Sequence, residues 1–433
     1  MVFALHKNKG RTAISQYLKH QNQKLACKAP FSSLYFNADG SITPCCVYLP
    51  GNEFGLYQPN SLERILDSEK RKTLQKNIGK GILPDACIIC NTGIVAGDYN
   101  SVIASQFNKL ITGLRYPDKL EFDLSHFCNF DCIMCGTHTH TNQPGAFNSE
   151  HFLDELIPYL EHARFCNFYG GEPFLNPLYF SIWETIARVN PHCLVYIQTN
   201  ASVYNEKVLR VLNRLNVLLG VSLDAIDNAL LESIRKGANA PEIKHNIGLF
   251  SALMQQQNRH LEISVTPMSL NLDEIPHIVE FCNSVSAGVF FNTLNFPRHL
   301  SPARMLPQQL NVHIKTLQAH SFENNKAISL ENQKKYDSFI QRLVYLMQRN
   351  GQFEQEYTKV TACDLIKKLS EQLPNSQLAA QFIDAFSDTD PNRELSPVVV
   401  GDLYSIPASL FSKTIAALLE QKNYQRVKQI IDL

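Results

Sequence analysis

Short apolar runs alternate with amphipathic segments from residue 119 to about residue 295, and this alternation limits the possible folds more than any other feature. The runs are dense in Val, Ile, Leu and Phe, as in parallel strands that are buried on both faces. The segments between them place apolar residues at helical spacing. The predicted strands are Leu120–Ser125, Phe165–Tyr169, Leu194–Thr199, Leu218–Leu223, Leu261–Thr266 and Val289–Leu294. The predicted helices are His151–Ala163, Leu178–Val189, Glu206–Leu215, Asn228–Arg235, Glu242–Gln256 and Asp273–Cys282.

Strand–helix alternation of this kind predicts right-handed βαβ units and a parallel sheet. Six units, rather than the eight of a complete barrel, predict an α/β fold with a partial (β/α)6 TIM-like barrel over residues 119–300. Residues 1–118 depart from this rhythm and predict an α+β module, with a hairpin turn at Asp39-Gly40 and one helix over Ser61–Ile78. Residues 301–433 predict a mostly helical C-terminal region.

The charge balance restricts the classes of partner. Forty basic side chains stand against 40 acidic ones, and charged residues make up 18% of the chain. A neutral balance disfavours nucleic acid binding, which depends on clustered Lys and Arg. No apolar run approaches the roughly 18 residues of a transmembrane helix, and the apolar start, Met1–Leu5, is too short for a secretory signal. We therefore expect a cytoplasmic protein without nucleic acid or membrane partners.

Twelve cysteines in such a chain indicate metal binding or catalysis rather than disulfides. Three of them form the motif Cys128-Asn-Phe-Asp-Cys132-Ile-Met-Cys135, directly after the first predicted strand of the α/β series. Loops at this end of the strands are where such folds place their chemistry. Three thiolates can hold three irons of a 4Fe–4S cluster and leave the fourth iron open. A zinc site completed by His138 or His140 is the alternative from spacing alone.

Polar residues follow the next predicted strands in order. Gly170-Gly-Glu172 follows the second strand, Asn200 the third, and Ser222 and Asp224 lie at the end of the fourth, with Arg235 farther along. Asn200 and Asp224 could each cap the following helix, and Arg235 could be a surface salt-bridge partner. Because all of them lie at or just beyond the carboxyl ends of successive strands, the sequence favours a shared functional site over these structural roles.

In this order, the motifs resemble those of the radical S-adenosylmethionine superfamily. The resemblance implies that Cys128, Cys132 and Cys135 hold a catalytic 4Fe–4S cluster whose open iron binds S-adenosylmethionine. Met134 stands where an aromatic residue is common in that superfamily. The cofactor-binding residues that the resemblance implies are Phe130, Met134, Gly170, Gly171, Glu172, Asn200, Ser222, Asp224 and Arg235.

The N-terminal cysteines follow a second pattern, in which a cysteine, a hairpin, a cysteine pair, a helix and a terminal CxxC succeed one another. From spacing alone, zinc fits four such thiolates as well as an iron–sulfur cluster does. The pattern resembles the SPASM or twitch module of radical S-adenosylmethionine enzymes, which binds an auxiliary 4Fe–4S cluster. The resemblance implies Cys27, Cys45, Cys87 and Cys90 as its ligands, with Cys46 as an alternative to Cys45.

The resemblance also implies an enzyme of oxidoreductase or lyase type. A reduced cluster would cleave S-adenosylmethionine to a 5′-deoxyadenosyl radical that abstracts hydrogen from a substrate, with electrons from an external flavodoxin- or ferredoxin-type donor. The first substrate hypothesis is a ribosomal precursor peptide that undergoes epimerisation, crosslinking or backbone excision and is presented either by the helical C-terminal region or by a separate small partner protein. One alternative is a dehydrogenase or epimerase of a sugar or other small molecule. A non-catalytic, zinc-stabilised interaction protein is the second alternative.

Overall fold

A computed structural model describes residues 2–48, 51–97, 99, 102–136, 145–147, 150–259, 261–294, 297–323, 326–406, 408–420 and 422–431. Its strands are β1 (Ser33–Asn37), β2 (Ser41–Thr43), β3 (Gly55–Leu56), β4 (Lys119–Asp123), β5 (Asp131–Cys132), β6 (Phe165–Phe168), β7 (Leu194–Thr199), β8 (Asn216–Ser222), β9 (Arg235–Lys236), β10 (Leu261–Val265) and β11 (Gly288–Phe291).

The α-helices are distributed along the whole chain. They are α1 (Val2–Gln21), α2 (Ala29–Ser32), α3 (Leu62–Leu66), α4 (Glu69–Gly79), α5 (Ile88–Ala96), α6 (Glu150–His162), α7 (Pro177–Val189), α8 (Glu206–Arg214), α9 (Asn228–Ile234), α10 (Ala240–Gln256), α11 (Ile275–Ser284), α12 (Pro307–Gln318), α13 (Ala327–Glu356), α14 (Ala362–Ser370), α15 (Ser376–Ala385), α16 (Pro397–Tyr404), α17 (Ala408–Glu420) and α18 (Tyr424–Ile431). The chain divides into two compact units. Unit 1 is Met1–Asn129 with Thr137–Gly220, and unit 2 is Phe130–Gly136 with Val221–Leu433.

Six strands lie wholly within unit 1, in the order β7-β6-β4-β1-β2-β3. Neighbours among β7, β6, β4 and β1 are parallel, whereas β1, β2 and β3 are joined by antiparallel pairing. Strand β1 is in register with β4 over five residue pairs, from Ser33 opposite Lys119 to Asn37 opposite Asp123. The predicted N-terminal hairpin is therefore part of the same sheet as the first strand of the α/β series.

The parallel strands of unit 1 have one apolar and one polar face. On β4, Leu120 and Phe122 are fully buried, and the residues that alternate with them carry charged side chains. The apolar face packs against α7, where the rings of Phe168 and Trp183 lie 5.4 Å apart. We call the opposite surface the polar face; its members are Tyr35, Lys119, Glu121, Asp123, Asn167, Tyr169, Tyr196 and Gln198.

The prediction of one helix over Ser61–Ile78 is wrong, because the segment forms α3 and α4 with a break between them. At the break Ser68 has an extended backbone (φ −60°, ψ 146°), and its side chain accepts a hydrogen bond from the backbone N–H of Arg71. The Arg71 guanidinium donates to the carbonyl oxygens of Leu66, Pro30 and Phe31 at 2.8, 3.0 and 3.0 Å. The second helix thus begins at its own cap and is held against α2.

Unit 2 contains the end of β8, the parallel pair β10 and β11, and the C-terminal helices. Just beyond β8, the backbone N–H of Leu223 donates to the carbonyl oxygen of Ser264 at 3.0 Å. Helices α14 to α18 share an apolar core of their own. Asp402 on α16 is buried and accepts hydrogen bonds from Arg298 and Arg304 at 2.8 and 3.0 Å, which connects these helices to the segment after β11.

The predicted α/β fold class and the helical C-terminal region are confirmed. All six predicted strands and all six predicted helices of the α/β series are present, with ends displaced by at most three residues. Cys166, Cys193 and Cys282 are buried among apolar residues. The domain boundaries after residues 118 and 300 stay a prediction. In the described part of the chain, no helix is both long and apolar enough to cross a membrane.

Candidate functional site

The three-cysteine loop is anchored at both of its ends. In unit 1, the backbone N–H of Glu172 donates to the carbonyl oxygen of Phe127 at 2.9 Å, directly before Cys128. In unit 2, β5 pairs antiparallel with β9, and Cys132 lies opposite Arg235. Cys128 and Cys132 are buried, whereas Cys135 is exposed. His138 and His140, the suggested zinc ligands, lie outside the described residues.

Gly170 and Gly171 follow β6 with φ angles of +80° and +52°. A Cβ atom at Gly170 would overlap the side chain of Asp123, and one at Gly171 would overlap the carbonyl oxygen of Phe127. Both positions therefore require glycine, because any side chain would strain the backbone and displace the start of the cysteine loop. The glycines bring the turn after β6 into direct contact with the segment after β4.

The Glu172 carboxylate accepts hydrogen bonds from two backbone N–H groups and one side-chain hydroxyl in unit 1. Its Oε1 accepts hydrogen bonds from Thr199 Oγ1 at 2.7 Å and from the backbone N–H of Phe174 at 3.1 Å. Its Oε2 accepts from the backbone N–H of Asn200 at 2.7 Å. The residue is only 1% exposed. Glu172 therefore fixes the end of β7 beside the turn that follows β6.

Asn200 directs its amide nitrogen to the first cysteine of the trio. Nδ2 lies 3.8 Å from Cys128 Sγ and 3.0 Å from Asn129 Oδ1. Its Oδ1 accepts the backbone N–H of Ser202 at 2.9 Å, which fixes the orientation of the amide group. Helix α8 is capped by Asn205 instead. The alternative that Asn200 caps the following helix is therefore wrong.

Asp224 and Arg235 form a buried ion pair in unit 2. Asp224 Oδ2 lies 2.7 Å from Arg235 Nη2, and Oδ1 accepts the backbone N–H of Thr266 at 2.7 Å. Arg235 Nη1 lies 3.9 Å from Cys132 Sγ. Helix α9 is capped by Asp227, so Asp224 is not its cap, and the burial of Arg235 contradicts a surface salt bridge.

The remaining predicted cofactor residues, Phe130, Met134 and Ser222, lie in unit 2. Phe130 is buried, and Ser222 is half-buried at the end of β8. Met134 is partly buried against an apolar cluster that includes Ile234 and Met268. Unit 1 holds Cys128, Gly170, Gly171, Glu172 and Asn200, and unit 2 holds Phe130, Cys132, Met134, Cys135, Ser222, Asp224 and Arg235.

Four N-terminal cysteines come together in unit 1 from separate segments. Cys27 precedes α2, Cys45 follows β2, Cys87 precedes α5 and Cys90 lies within it. Burial raises the pKa of the Cys27 thiol. The hydrogen bond from the Ala29 backbone N–H opposes this rise, and the nearby thiols of Cys90 and Cys87 add to it. Burial and Cys90 raise the pKa of Cys87 to about 12. These thiols are close enough to disfavour each other's ionisation, and Cys46 is the exposed member of its pair.

This donor set fits an iron–sulfur cluster. Thiolates are the ligands of such clusters, and a bound metal displaces the protons that burial otherwise retains. No group of three or more His, Cys, Asp or Glu side chains in the described ranges is arranged to hold a single metal ion. A 4Fe–4S cluster sets a different requirement, because each thiolate bonds a different iron.

The sequence prediction missed several residues that position the site. Thr199 binds Glu172, and Asn271 Nδ2 donates to the carbonyl oxygen of Asp224 at 2.9 Å. It also missed the buried pair of Lys119 Nζ and Glu121 Oε2, which lie 2.9 Å apart. Charged residues that alternate with buried apolar ones on β4 were the available signal for that pair.

Two family models match the chain. The model described as the radical SAM superfamily matches residues 123–282, and the SPASM model, described as an iron–sulfur cluster-binding domain, matches residues 27–91. Among curated proteins, an uncharacterized protein of Methanocaldococcus jannaschii is 27% identical over 135 residues, which are 30% of this chain and 45% of the relative. A probable GTP 3′,8-cyclase of the same organism is 22% identical over 187 residues, 39% of this chain and 56% of the relative.

The chain thus spans about half the length of these curated relatives. Among solved structures, SuiB of Streptococcus suis bound to S-adenosylmethionine matches with a TM-score of 0.38 and 14% identity, covering 60% of each chain. His6-tagged anSMEcpe with bound AdoMet matches with a TM-score of 0.36 and 19% identity, covering 46% of this chain and 58% of that chain.

Proposed function

Because models of the radical SAM superfamily and of the SPASM domain both match this chain, we propose that it is a radical S-adenosylmethionine enzyme that abstracts hydrogen from a polar substrate, most simply a ribosomal precursor peptide. The observation that carries the proposal is the pairing of the two domains in one chain. The cysteine trio would supply the catalytic cluster, and the SPASM domain would supply an auxiliary one. The peptide would be epimerised at one residue, crosslinked between two residues, or shortened by excision of part of its backbone.

The chain's own residues divide the work of holding the cofactors. Cys128, Cys132 and Cys135 would bind three irons, and Cys27, Cys45, Cys87 and Cys90 would bind the auxiliary cluster. When bound, the catalytic cluster and S-adenosylmethionine supply the one-electron chemistry that generates the 5′-deoxyadenosyl radical. The proposed contacts to S-adenosylmethionine come from Phe130, Met134, Gly170, Gly171, Glu172, Asn200, Ser222, Asp224 and Arg235.

The polar face of unit 1 supports a polar substrate. Tyr35, Glu121, Asn167 and Tyr196 lie side by side across four parallel strands, because each is the register partner of the next. Asn167 Nδ2 donates to Tyr169 Oη at 2.8 Å and to Glu121 Oε2 at 3.4 Å. Asn167 and Tyr196 are only half-buried. Such a row offers hydrogen-bonding groups to a ligand that covers it.

Glu121 offers an acceptor on this face. The residue is 4% exposed, its Oε2 is held by Lys119, and its Oε1 has no hydrogen-bond partner among the described residues. A buried carboxylate oxygen without a partner is costly, so a substrate N–H or O–H group would satisfy it. The same face ends at Tyr169, which directly precedes Gly170 and Gly171. A substrate on this face would therefore adjoin the glycine turn proposed to bind S-adenosylmethionine.

A peptide is our first candidate by analogy, because enzymes with auxiliary clusters frequently modify peptides. The second candidate is a sugar or another small polar molecule. It is favoured by the polar face, whose carboxylate, amide and phenol groups match the hydroxyl groups of such a substrate. The electron donor would be an external protein of flavodoxin or ferredoxin type, and a small partner protein could present a peptide.

The first experiment measures iron, acid-labile sulfide and zinc after anaerobic purification. We expect roughly eight irons per chain, and roughly four when Cys128, Cys132 and Cys135 are all changed to Ala. Cys363→Ala is the matched control, because Cys363 is an exposed cysteine outside both proposed sites. Zinc without iron after reconstitution would contradict the proposed function.

The second experiment identifies the substrate class. Reconstituted enzyme is mixed with S-adenosylmethionine, titanium(III) citrate and either the peptides encoded beside its gene or a set of amino sugars. Formation of 5′-deoxyadenosine above the substrate-free rate, with a mass change in a peptide, would support the peptide candidate. Stimulation by an amino sugar alone would favour the second candidate. Glu121→Gln should reduce the substrate-dependent rate in either case.

A further inference from the structure

Two of the three trio cysteines have nitrogen donors directed at their sulfur atoms. In unit 1, Asn200 Nδ2 lies 3.8 Å from Cys128 Sγ. The backbone N–H of Ser202 occupies the Asn200 Oδ1 atom, so the amide nitrogen, not the oxygen, faces the sulfur. Asn200 is 7% exposed, so water competes little for this contact.

The donor to Cys132 is cationic. Arg235 Nη1 lies 3.9 Å from Cys132 Sγ, and Nη2 is held at 2.7 Å by Asp224. Arg235 and Cys132 are directly opposite in the ladder of β5 and β9, and Arg235 is 7% exposed. The ladder and the ion pair therefore fix the guanidinium from both sides.

Hydrogen bonds to the sulfur ligands of an iron–sulfur cluster are among the factors that set its reduction potential. Reduction adds one electron to the cluster, and the sulfur ligands carry part of the added negative charge. An N–H donor stabilises the more negative, reduced state more than the oxidised one, and the effect is larger for a charged donor in a buried site. Donors at Cys128 and Cys132 should therefore raise the potential.

We propose that Asn200 and Arg235 raise the reduction potential of the cluster held by Cys128, Cys132 and Cys135 through N–H···S hydrogen bonds to Cys128 and Cys132. This inference rests on the proposed function, since it requires the cluster. It gives both residues a role beyond contact with S-adenosylmethionine. In the step concerned, one electron passes from the external donor to the cluster, and no bond is formed or broken.

The test is a redox titration of the reconstituted full chain with titanium(III) citrate, followed by electron paramagnetic resonance. The signal of the trio cluster is identified as the one that changes on addition of S-adenosylmethionine. Asn200→Leu removes the amide donor at similar size, and Arg235→Lys keeps the charge beside Asp224 but removes the two-nitrogen fork. In each variant we expect reduction of the trio cluster to become about tenfold less favourable. This corresponds to a reduction potential about 59 mV lower for a one-electron couple.

Lys236→Gln is the matched control, because Lys236 is the exposed neighbour of Arg235 on β9 and lies opposite Asp131. It removes a nearby positive charge without removing an N–H···S contact, and its potential should stay close to that of the wild type. Every variant must first bind as much iron and sulfide as the wild type. If Asn200→Leu does not, Asn200→Ala replaces it, because it also lacks the donor and adds no charge.

The possible outcomes separate this inference from the proposed function. A wild-type chain without a 4Fe–4S signal from the trio would overturn both. A normal signal with unchanged potentials in the Asn200 and Arg235 variants would overturn the inference and leave the proposed function standing. A shift in Lys236→Gln as large as that in Arg235→Lys would show that the potential responds to changes on β9 that leave the N–H···S contact intact, and would remove Arg235 from the inference.

Discussion

Replacement of Glu172 by Gln should destabilise unit 1 by about 3 kcal/mol, because hydrogen bonds to a charged group are each worth about 1.5–3 kcal/mol. The carboxylate accepts from Thr199, Phe174 and Asn200 at 2.7 to 3.1 Å and is almost completely buried. In the variant, the amide group places a donor where one oxygen had accepted. At least one buried N–H or O–H would then face another donor without an acceptor.

The chain contains its own reporter for this measurement. Trp183 is the single tryptophan, is fully buried in α7, and its ring centroid lies 5.8 Å from that of Phe174. Urea unfolding of the metal-free chain under anaerobic conditions, followed by Trp183 fluorescence, therefore reports on unit 1. Glu184→Gln is the control, since Glu184 is an exposed residue next to the tryptophan and its loss should change stability by less than about 0.5 kcal/mol.

A loss below about 0.5 kcal/mol for Glu172→Gln, equal to that of the control, would refute this reasoning. It would mean that the amide finds acceptors in the native site and that the carboxylate is not needed for the position of β7. The Glu172 side chain would then be free to act on the cofactor alone.

Three further predictions concern a glycine in a tight turn, a buried carboxylate and a half-buried carboxylate. Gly171→Ala should abolish binding of S-adenosylmethionine in isothermal titration calorimetry while a far-UV circular dichroism spectrum remains, because a Cβ atom would displace the cysteine loop; retained affinity would contradict this. Asp402→Asn should cost about 3 kcal/mol in urea unfolding of the full chain followed by circular dichroism, because it leaves two arginines without their carboxylate; a neutral effect would contradict it. Burial raises the pKa of Glu262, although Lys335 opposes the effect. The stability that a protonated Glu262 provides is lost as the pH rises through that raised pKa. Glu262→Gln should therefore be more thermally stable than the wild type near pH 7, and the difference should shrink as the pH falls. An equal difference in melting temperature at both pH values would contradict this.

The regular elements could be predicted from sequence because their signal is local. Buried strands such as Leu194–Thr199 are dense in apolar residues, and helices such as α7 repeat them at helical spacing. The break at Ser68 was missed because a serine between charged residues resembles the exposed face of a helix. What ends α3 there is the docking of Arg71 on the carbonyl oxygens of residues 30 and 31, a tertiary contact without a local pattern.

The candidate site residues could be proposed as a set from the motif order, and their cofactor roles stay a prediction, whereas their partners in the structure could not be predicted from the sequence. The motif order identified Asn200, Asp224 and Arg235, yet the sequence left caps and surface salt bridges open for them. The structure decides against those alternatives because Asn205 and Asp227 cap the two helices and Arg235 is buried. Arg235 lies on a two-residue ladder, β5 with β9, that is too short to produce any periodicity. That ladder is what places Arg235 opposite Cys132.

The position of the N-terminal hairpin in the sheet was the feature least predictable from local sequence patterns. A strand pattern indicates a strand, but the choice of its neighbour depends on the whole fold. Here β1 covers the edge of β4 along five register pairs, and the backbone N–H of Asp118, just before β4, donates to the carbonyl oxygen of Ser32, just before β1. Without residues 1–118, that edge of β4 would expose its backbone hydrogen-bonding groups, which favours aggregation. Cys45 follows β2 and Cys128 follows β4, so both proposed clusters draw a ligand from segments attached to one sheet. The SPASM region is therefore a structural part of unit 1 rather than an appendage to it.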